Sequence, residues 1–169
     1  MSSRIWGLYP TRDQFIPINL FGYTTKGIPG LEVVGLKSYS RSIKEKFIYL
    51  TRQQQDQIPL RRYVICTESS GQLLLDEQNY RWLELPMLIL FWSLAGYLPI
   101  QRLDDCLSLG RVSVTGEIES RDISQTLVGE FNFIKPTNMI SPSDKIVPNH
   151  MNLLPLEEIF KDRIGLTFL

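Results

Sequence analysis

Leu85-Pro86-Met87-Leu88-Ile89-Leu90-Phe91-Trp92-Ser93-Leu94-Ala95-Gly96 is the most apolar stretch of the chain and carries no charge. It reads as a central helix. Glu84 stands before it, and Pro86 suits a first helical turn, where its missing N–H leaves no intrahelical bond unmade. Gly96 offers a left-handed exit and Pro99 follows soon after. A helix apolar on every side is buried on every side or spans a membrane. The uncharged run from Leu85 to Ile100 has 16 residues, interrupted by Pro and Gly. A spanning helix needs about 20, so the expectation is a buried central helix.

Upstream, residues 4–9 and 14–23 alternate as two strands, with Ile16, Ile18 and Leu20 on one face of the second. Tyr9-Pro10-Thr11-Arg12-Asp13 joins them as a hairpin turn. Pro17 marks an edge or a bulge, because it cannot donate to a ladder. Leu31–Leu36 reads as a third strand. Ser38 is placed to cap a helix over Tyr39–Gln55, with Ile43, Phe47 and Leu50 as its buried stripe. Ile58-Pro59 ends that helix, and Arg61–Thr67 is a fourth strand, apolar enough to be central. Residues 68–81 read as a loop whose Leu73-Leu74-Leu75 folds back on the core.

Downstream, Arg102–Cys106 is a connector, and Cys106–Glu119 is a strand pair or one bent strand. Its apolar phase flips at Gly110, as at a β-bulge. Beyond Ser120 the pattern weakens to a strand at 127–134, a loop at 135–145, a short strand at 146–147 and a short helix at 155–163. The order β-β-β-α-β-loop-α-β predicts an α+β domain in which helices pack on a mixed or antiparallel sheet. No repeat or linker divides residues 1–169, so one domain is expected, irregular over 120–169.

The composition, 43% hydrophobic and 21% charged, is that of a globular protein. Eighteen basic and 18 acidic residues cancel, which argues against a dedicated nucleic-acid binder, since phosphate neutralisation supplies most of such affinity. The opening residues lack the apolar run of a signal peptide, and a cytoplasmic protein is expected. Cys66 and Cys106 lie in apolar contexts and read as buried thiols. No Cys-x-x-Cys occurs and His150 is the sole histidine, so no metal site is expected. The acids Asp104, Asp105, Glu117 and Glu119 read as solvated surface.

Several segments resemble a known family. Gly30-Leu31-Glu32-Val33-Val34-Gly35-Leu36 is similar to the Gly-Leu-Pro-x-x-x-Ile-Val-Gly-Leu segment of magnesium-chelatase-related ATPases of the ComM/YifB type. The Ser38 helix and the Arg61-Arg62 strand follow at that family's spacing. Leu83-Glu84-Leu85-Pro86-Met87 resembles its Phe-Asp-Leu-Pro-Ile, and Leu98-Pro99 resembles its Ile-Pro. Leu109-Gly110-Arg111-Val112-Ser113-Val114-Thr115-Gly116-Glu117-Ile118 resembles its Leu-Gly-Glu-Leu-Ser-Leu-Asp-Gly run. The resemblance covers about residues 4–119 and implies the fold of the Lon proteolytic domain, of the ribosomal protein S five domain two class. There are departures. No Gly-x-x-x-x-Gly-Lys-Ser/Thr occurs, so this polypeptide carries no phosphate-cradling loop. The family's Lys-Glu-Gly before the central helix is replaced by Asp76-Glu77-Gln78 and an insertion. Lon-type proteolysis uses a Ser at the start of the central helix and a Lys base. The resemblance places about Glu84 at that Ser, with no Ser within two residues, while Lys135 and Lys145 lie in loop-like sequence.

Lys44, Lys46, Arg52, Arg61 and Arg62 are the candidate basic contact patch, with Trp6, Tyr9 and Tyr63 available for stacking. The expectation that follows is a non-catalytic interaction or assembly module with no cofactor. It would contact a separately encoded AAA+ ATPase or a second copy of itself. The alternatives are a nucleic-acid-binding accessory domain linked to DNA processing or natural transformation, and a remnant Lon-like peptidase without its nucleophile.

Overall fold

The computed structural model describes residues 1–12, 15–68, 78–123 and 136–169. The predicted hairpin forms from β1 (Ser2–Pro10) and β2 (Phe15–Thr25), antiparallel from Ser2↔Tyr23 to Pro10↔Phe15. Next come β3 (Gly30–Val34), α1 (Tyr39–Arg52) and β4 (Arg62–Glu68). A 3-10 turn, Asn79–Leu83, leads into α2 (Glu84–Leu94). The chain then makes β5 (Cys106–Ser108), β6 (Arg111–Val112), β7 (Glu117–Glu119), β8 (Asn138–Ser141), β9 (Asn152–Pro155), α3 (Leu156–Ile159) and β10 (Thr167–Phe168).

Seven strands form one mixed sheet in the order β3-β4-β2-β1-β5-β8-β9. The β1–β2 and β2–β4 pairs are antiparallel; the other four are parallel. A second sheet orders β10-β7-β6. The α+β architecture with a mixed sheet is therefore as the sequence predicts. Pro17 sits where β2 has β1 on one side only, since pairing with β4 starts at Asn19; its missing N–H costs no ladder bond there.

All eleven residues of α2 are buried. They lie on the sheet face that carries Ile5 and Tyr9 of β1, Ile18 and Leu20 of β2, and Tyr63 and Ile65 of β4. α1 covers the β3 end of the same face through Ile43, Phe47 and Leu50. The two helices are tied by the Trp92 indole N–H, which donates to Thr51 Oγ1 at 3.0 Å, and by Phe47 lying against Phe91. A smaller cluster around Leu8, Leu107 and Met139 fills the reverse face. Gly96 makes the left-handed exit from α2, with φ +80°. Among the described residues no helix is long and apolar enough to cross a membrane.

Three expectations need correction and two lie outside the described residues. Cys106–Glu119 is not one bent strand, and only part of it is a strand pair: β5 belongs to the large sheet, while β6 and β7 pair antiparallel in the small one. Gly110 is where the chain crosses between them. Asn138–Ser141, read as loop, is an interior strand with Met139 and Ile140 fully buried. Residues 146–147 form no strand, although the Ile146 carbonyl accepts the Ile123 N–H at 2.8 Å. Leu73-Leu74-Leu75 and the strand expected at 127–134 lie outside the described residues.

Candidate functional site

The first turn of α2 is the place to look for chemistry, because the resemblance puts a nucleophile there. Its occupant is the Glu84 side chain, with no exposure at all. The Lys46 ammonium of α1 donates to Glu84 Oε2. The Arg81 guanidinium donates to Oε1 at 3.3 Å, and so does the backbone N–H of Val112 at 3.1 Å. A buried carboxylate is tolerated only when paired and hydrogen-bonded in this way. It also complements the helix N-terminus. The arrangement clamps α1, α2 and β6 together. It holds an amine against a carboxylate, not against a hydroxyl.

Lys46 is accordingly spent inside the fold, its side chain only 12% exposed. It does not belong to a surface patch with the other basic candidates, contrary to expectation. The reason is the α1 register: Lys46 adjoins the buried Phe47 and faces the start of α2. Two of the three expected stackers, Tyr9 and Tyr63, are buried with their rings committed to the core, and Trp6 is half-buried against the reverse-face cluster.

The remaining four cations do come together. Lys44, Arg52, Arg61 and Arg62 all line one groove of about 870 Å³ between the C-terminal half of α1, the 53–61 connector and the start of β3. Leu31, Ile48, Ile58 and Phe91 contribute apolar lining. Ile28 and Leu60 belong to the same lining and are 86% and 83% exposed. Sequence reasoning missed these two. The available signal was an apolar residue beside a proline on each side, Ile28-Pro29 and Pro59-Leu60, in otherwise polar loops.

The wall of the groove is braced. The Tyr63 hydroxyl donates to the Pro59 carbonyl at 3.0 Å, and the Tyr97 hydroxyl donates to the Asp56 carbonyl. Burial pushes the pKa of both phenols up, which keeps them protonated and donating; the Arg61 charge beside Tyr63 and the Arg163 charge beside Tyr97 oppose that rise. Gln54 bonds Ile164 through both ends of its amide, at 3.0 and 3.1 Å. The connector therefore has fixed side-chain anchors at both ends of its run.

Charge around the groove is unevenly satisfied. Arg62 pairs with Glu32, and Arg163 pairs with Asp56 at 3.5 Å. Lys44, Arg52 and Arg61 make no ion pair among the described residues. Among the described residues the lining contains no Ser, Cys or His. Its hydroxyls are employed: Thr51 donates to the Phe47 carbonyl at 2.6 Å, and Tyr97 donates as above. What the groove offers chemically is apolar contact, cationic hydrogen-bond donors and strand backbone.

The other sequence candidates are dispersed. Asp104 pairs with Arg102 at 3.0 Å, and the Asp104 carboxyl lies below its usual range because that guanidinium bonds to it. Glu119 pairs with Arg111. Cys66 and Cys106 are both free thiols. Among the described residues no three His, Cys, Asp or Glu side chains gather as a metal site would require. Set beside known protein families and curated proteins, the chain matches none.

Proposed function

We propose that the chain is a non-catalytic interaction and assembly module, related to the N-terminal domain of ComM-type magnesium-chelatase-related ATPases and sharing its Lon-like fold. The observation that carries the reading is the groove beside β3: a braced wall, an apolar lining, two almost fully exposed apolar side chains and three cations without a carboxylate partner among the described residues. Exposed apolar surface of this kind marks a contact site. The kinship is supported by where the resembling segments fall. They occupy β3, the two ends of α2 and the β6–β7 run, all around the buried helix. At the position of the family's nucleophile, Glu84 is saturated by Lys46, Arg81 and the Val112 N–H, and no hydrolytic step is assigned to it. The partner is a protein, either a separately encoded AAA+ ATPase or a second copy of this chain.

A photo-cross-linking residue at Leu60, with a control at Val114, tests this in the source cells, alongside light scattering of the purified chain. The expected result is one protein adduct of defined mass from Leu60 and none from Val114. A monomer that yields no adduct overturns the reading. Hydrolysis of casein, abolished by changing Glu84 or Lys46, would overturn its non-catalytic part.

A second reading, nucleic-acid binding, draws on the same cations. A nuclease-sensitive adduct, with salt-dependent binding of single- or double-stranded DNA, would favour it.

A further inference from the structure

We infer that the occupant of the groove is an extended, acidic segment of a partner protein that adds to β3 as an eighth strand of the large sheet; this rests on the interaction-module reading and specifies its ligand.

β3 ends the sheet, with β4 on one side and no strand on the other among the described residues. The direction of its free bonding groups follows from the ladder. The Gly30 N–H donates inward to the Arg61 carbonyl at 3.2 Å, and the Val34 carbonyl accepts from Thr67 Oγ1 of β4. Main-chain groups alternate along a strand, so Gly30, Glu32 and Val34 face β4. Leu31 and Val33 turn both their N–H and C=O groups outward. A free strand edge is a template for another strand, and strand addition is a standard mode of peptide capture.

The groove opens on this edge. Leu31 and Glu32 point to opposite faces of β3, yet both line it. Natural edges are commonly blocked by lysine, proline or a bulge. Here Pro29 precedes the strand and its one charged residue is Glu32, already paired with Arg62.

Charge complementarity selects the ligand. Four cations line the groove against two carboxylates, Glu32 and Asp56, and both carboxylates are already in ion pairs. Lys44, Arg52 and Arg61 are left to meet acidic side chains, while Ile28 and Leu60 meet apolar ones. A polynucleotide fits less well. Three cations neutralise few phosphates, and among the described residues no exposed aromatic ring stands in the lining: Phe91 and Tyr97 are buried.

The test is selection of a displayed random-peptide library on the full chain, with a single-stranded oligonucleotide as a separate arm. Recovered peptides are expected to alternate apolar residues with Asp or Glu. Their binding should weaken at least tenfold in Arg52→Glu/Arg61→Glu, two exposed positions whose variants can be checked for native circular dichroism. Amide exchange should slow at Leu31 and Val33 when such a peptide binds. No enrichment, enrichment of basic or uncharged peptides, or protection confined to other strands would overturn the inference. So would an oligonucleotide that alone protects these amides. A Leu60 protein adduct with no acidic enrichment would remove this inference and leave the interaction-module reading standing; loss of both would remove both.

Discussion

The ammonium of Lys46, in the middle of α1, donates to the carboxylate of Glu84 at the first turn of α2. Two residues 38 positions apart thus pin the two helices together, in a place where Glu84 is wholly enclosed. Removing one partner of a buried pair strands the other, typically at a cost of about 3–5 kcal/mol, whereas removing both is far cheaper. The pair is not symmetric. Glu84 keeps Arg81 and the Val112 N–H if Lys46 is lost, but among the described residues Lys46 has no second carboxylate if Glu84 is lost. Urea denaturation of Glu84→Gln, Lys46→Met and the double variant should therefore give the largest loss for Glu84→Gln. A coupling energy of about 1–3 kcal/mol is expected. Additive losses would show that the contact does not hold the helices.

Gly110 sits against the same helix end. Its carbonyl accepts the Leu85 N–H at 3.0 Å, and its own N–H donates to the Trp82 carbonyl at 3.1 Å. A Cβ there would lie 2.7 Å from Leu85 Cδ2 and 2.9 Å from the Glu119 carbonyl oxygen, which is backbone and cannot swing away. Gly110→Ala is expected to cost about 1–3 kcal/mol, the usual penalty of forced overpacking, read as a fall in Tm. Gly30→Ala is the matched control, with nothing within 4 Å of its Cβ. Equal melting temperatures for the two variants would refute the steric account.

These two contacts show what local sequence can and cannot reveal. The α2 segment was legible because a run without charge admits few fates, and α1 because Ile43, Phe47 and Leu50 repeat at helical spacing. The hairpin was legible from period-two alternation. The flip at Gly110 was visible, but its meaning was not. A bulge and a passage between sheets leave the same phase change, and only pairing partners far along the chain distinguish them. β8 was missed because its four residues, Asn138 to Ser141, are flanked by Pro136 and Pro142 and owe their burial to β5 and β9. In the groove, the cations at 44, 52, 61 and 62 could be named in advance. Lys46 could not be separated from them, since its carboxylate partner comes from another helix.

Burial raises the Cys106 thiol to about 12, with Asp105 adding to the rise, and it also raises Cys66, Tyr63, Tyr80 and Tyr97. In the unfolded chain thiols ionise near about 8.5 and phenols near about 10. Above those values the unfolded state has released protons that the folded state retains, so stability falls as pH rises. Below them both states are protonated and these groups contribute no slope. The urea midpoint should be insensitive to these groups at pH 7 and decline steadily from about pH 9 to 11. Cys106→Ala should make the first part of that decline shallower. A midpoint that climbs between pH 9 and 11 would contradict the burial assigned to them.

Gln54 fastens the C-terminal segment to the end of α1. Its amide N–H donates to the Leu50 and Ile164 carbonyls at 3.2 and 3.1 Å, and its Oε1 accepts the Ile164 N–H at 3.0 Å. Only 8% of the residue is exposed, so the groups it satisfies have little recourse to water. Gln54→Ala should cost about 1–3 kcal/mol, the range for leaving buried polar partners unmet. The loss should be regional as well as global. The Thr167 and Leu169 N–H groups bond to Gly116 and Ile118, and their amide exchange should quicken more than that of Ile65 in the sheet interior. Gln54→Glu keeps the acceptor for the Ile164 N–H but turns a carboxylate oxygen toward two carbonyls. It should be worse than alanine at neutral pH and recover part of the loss in mild acid, when the protonated carboxyl can donate again. Equal stability of the two variants across pH would mean that the Gln54 amide does not face these carbonyls.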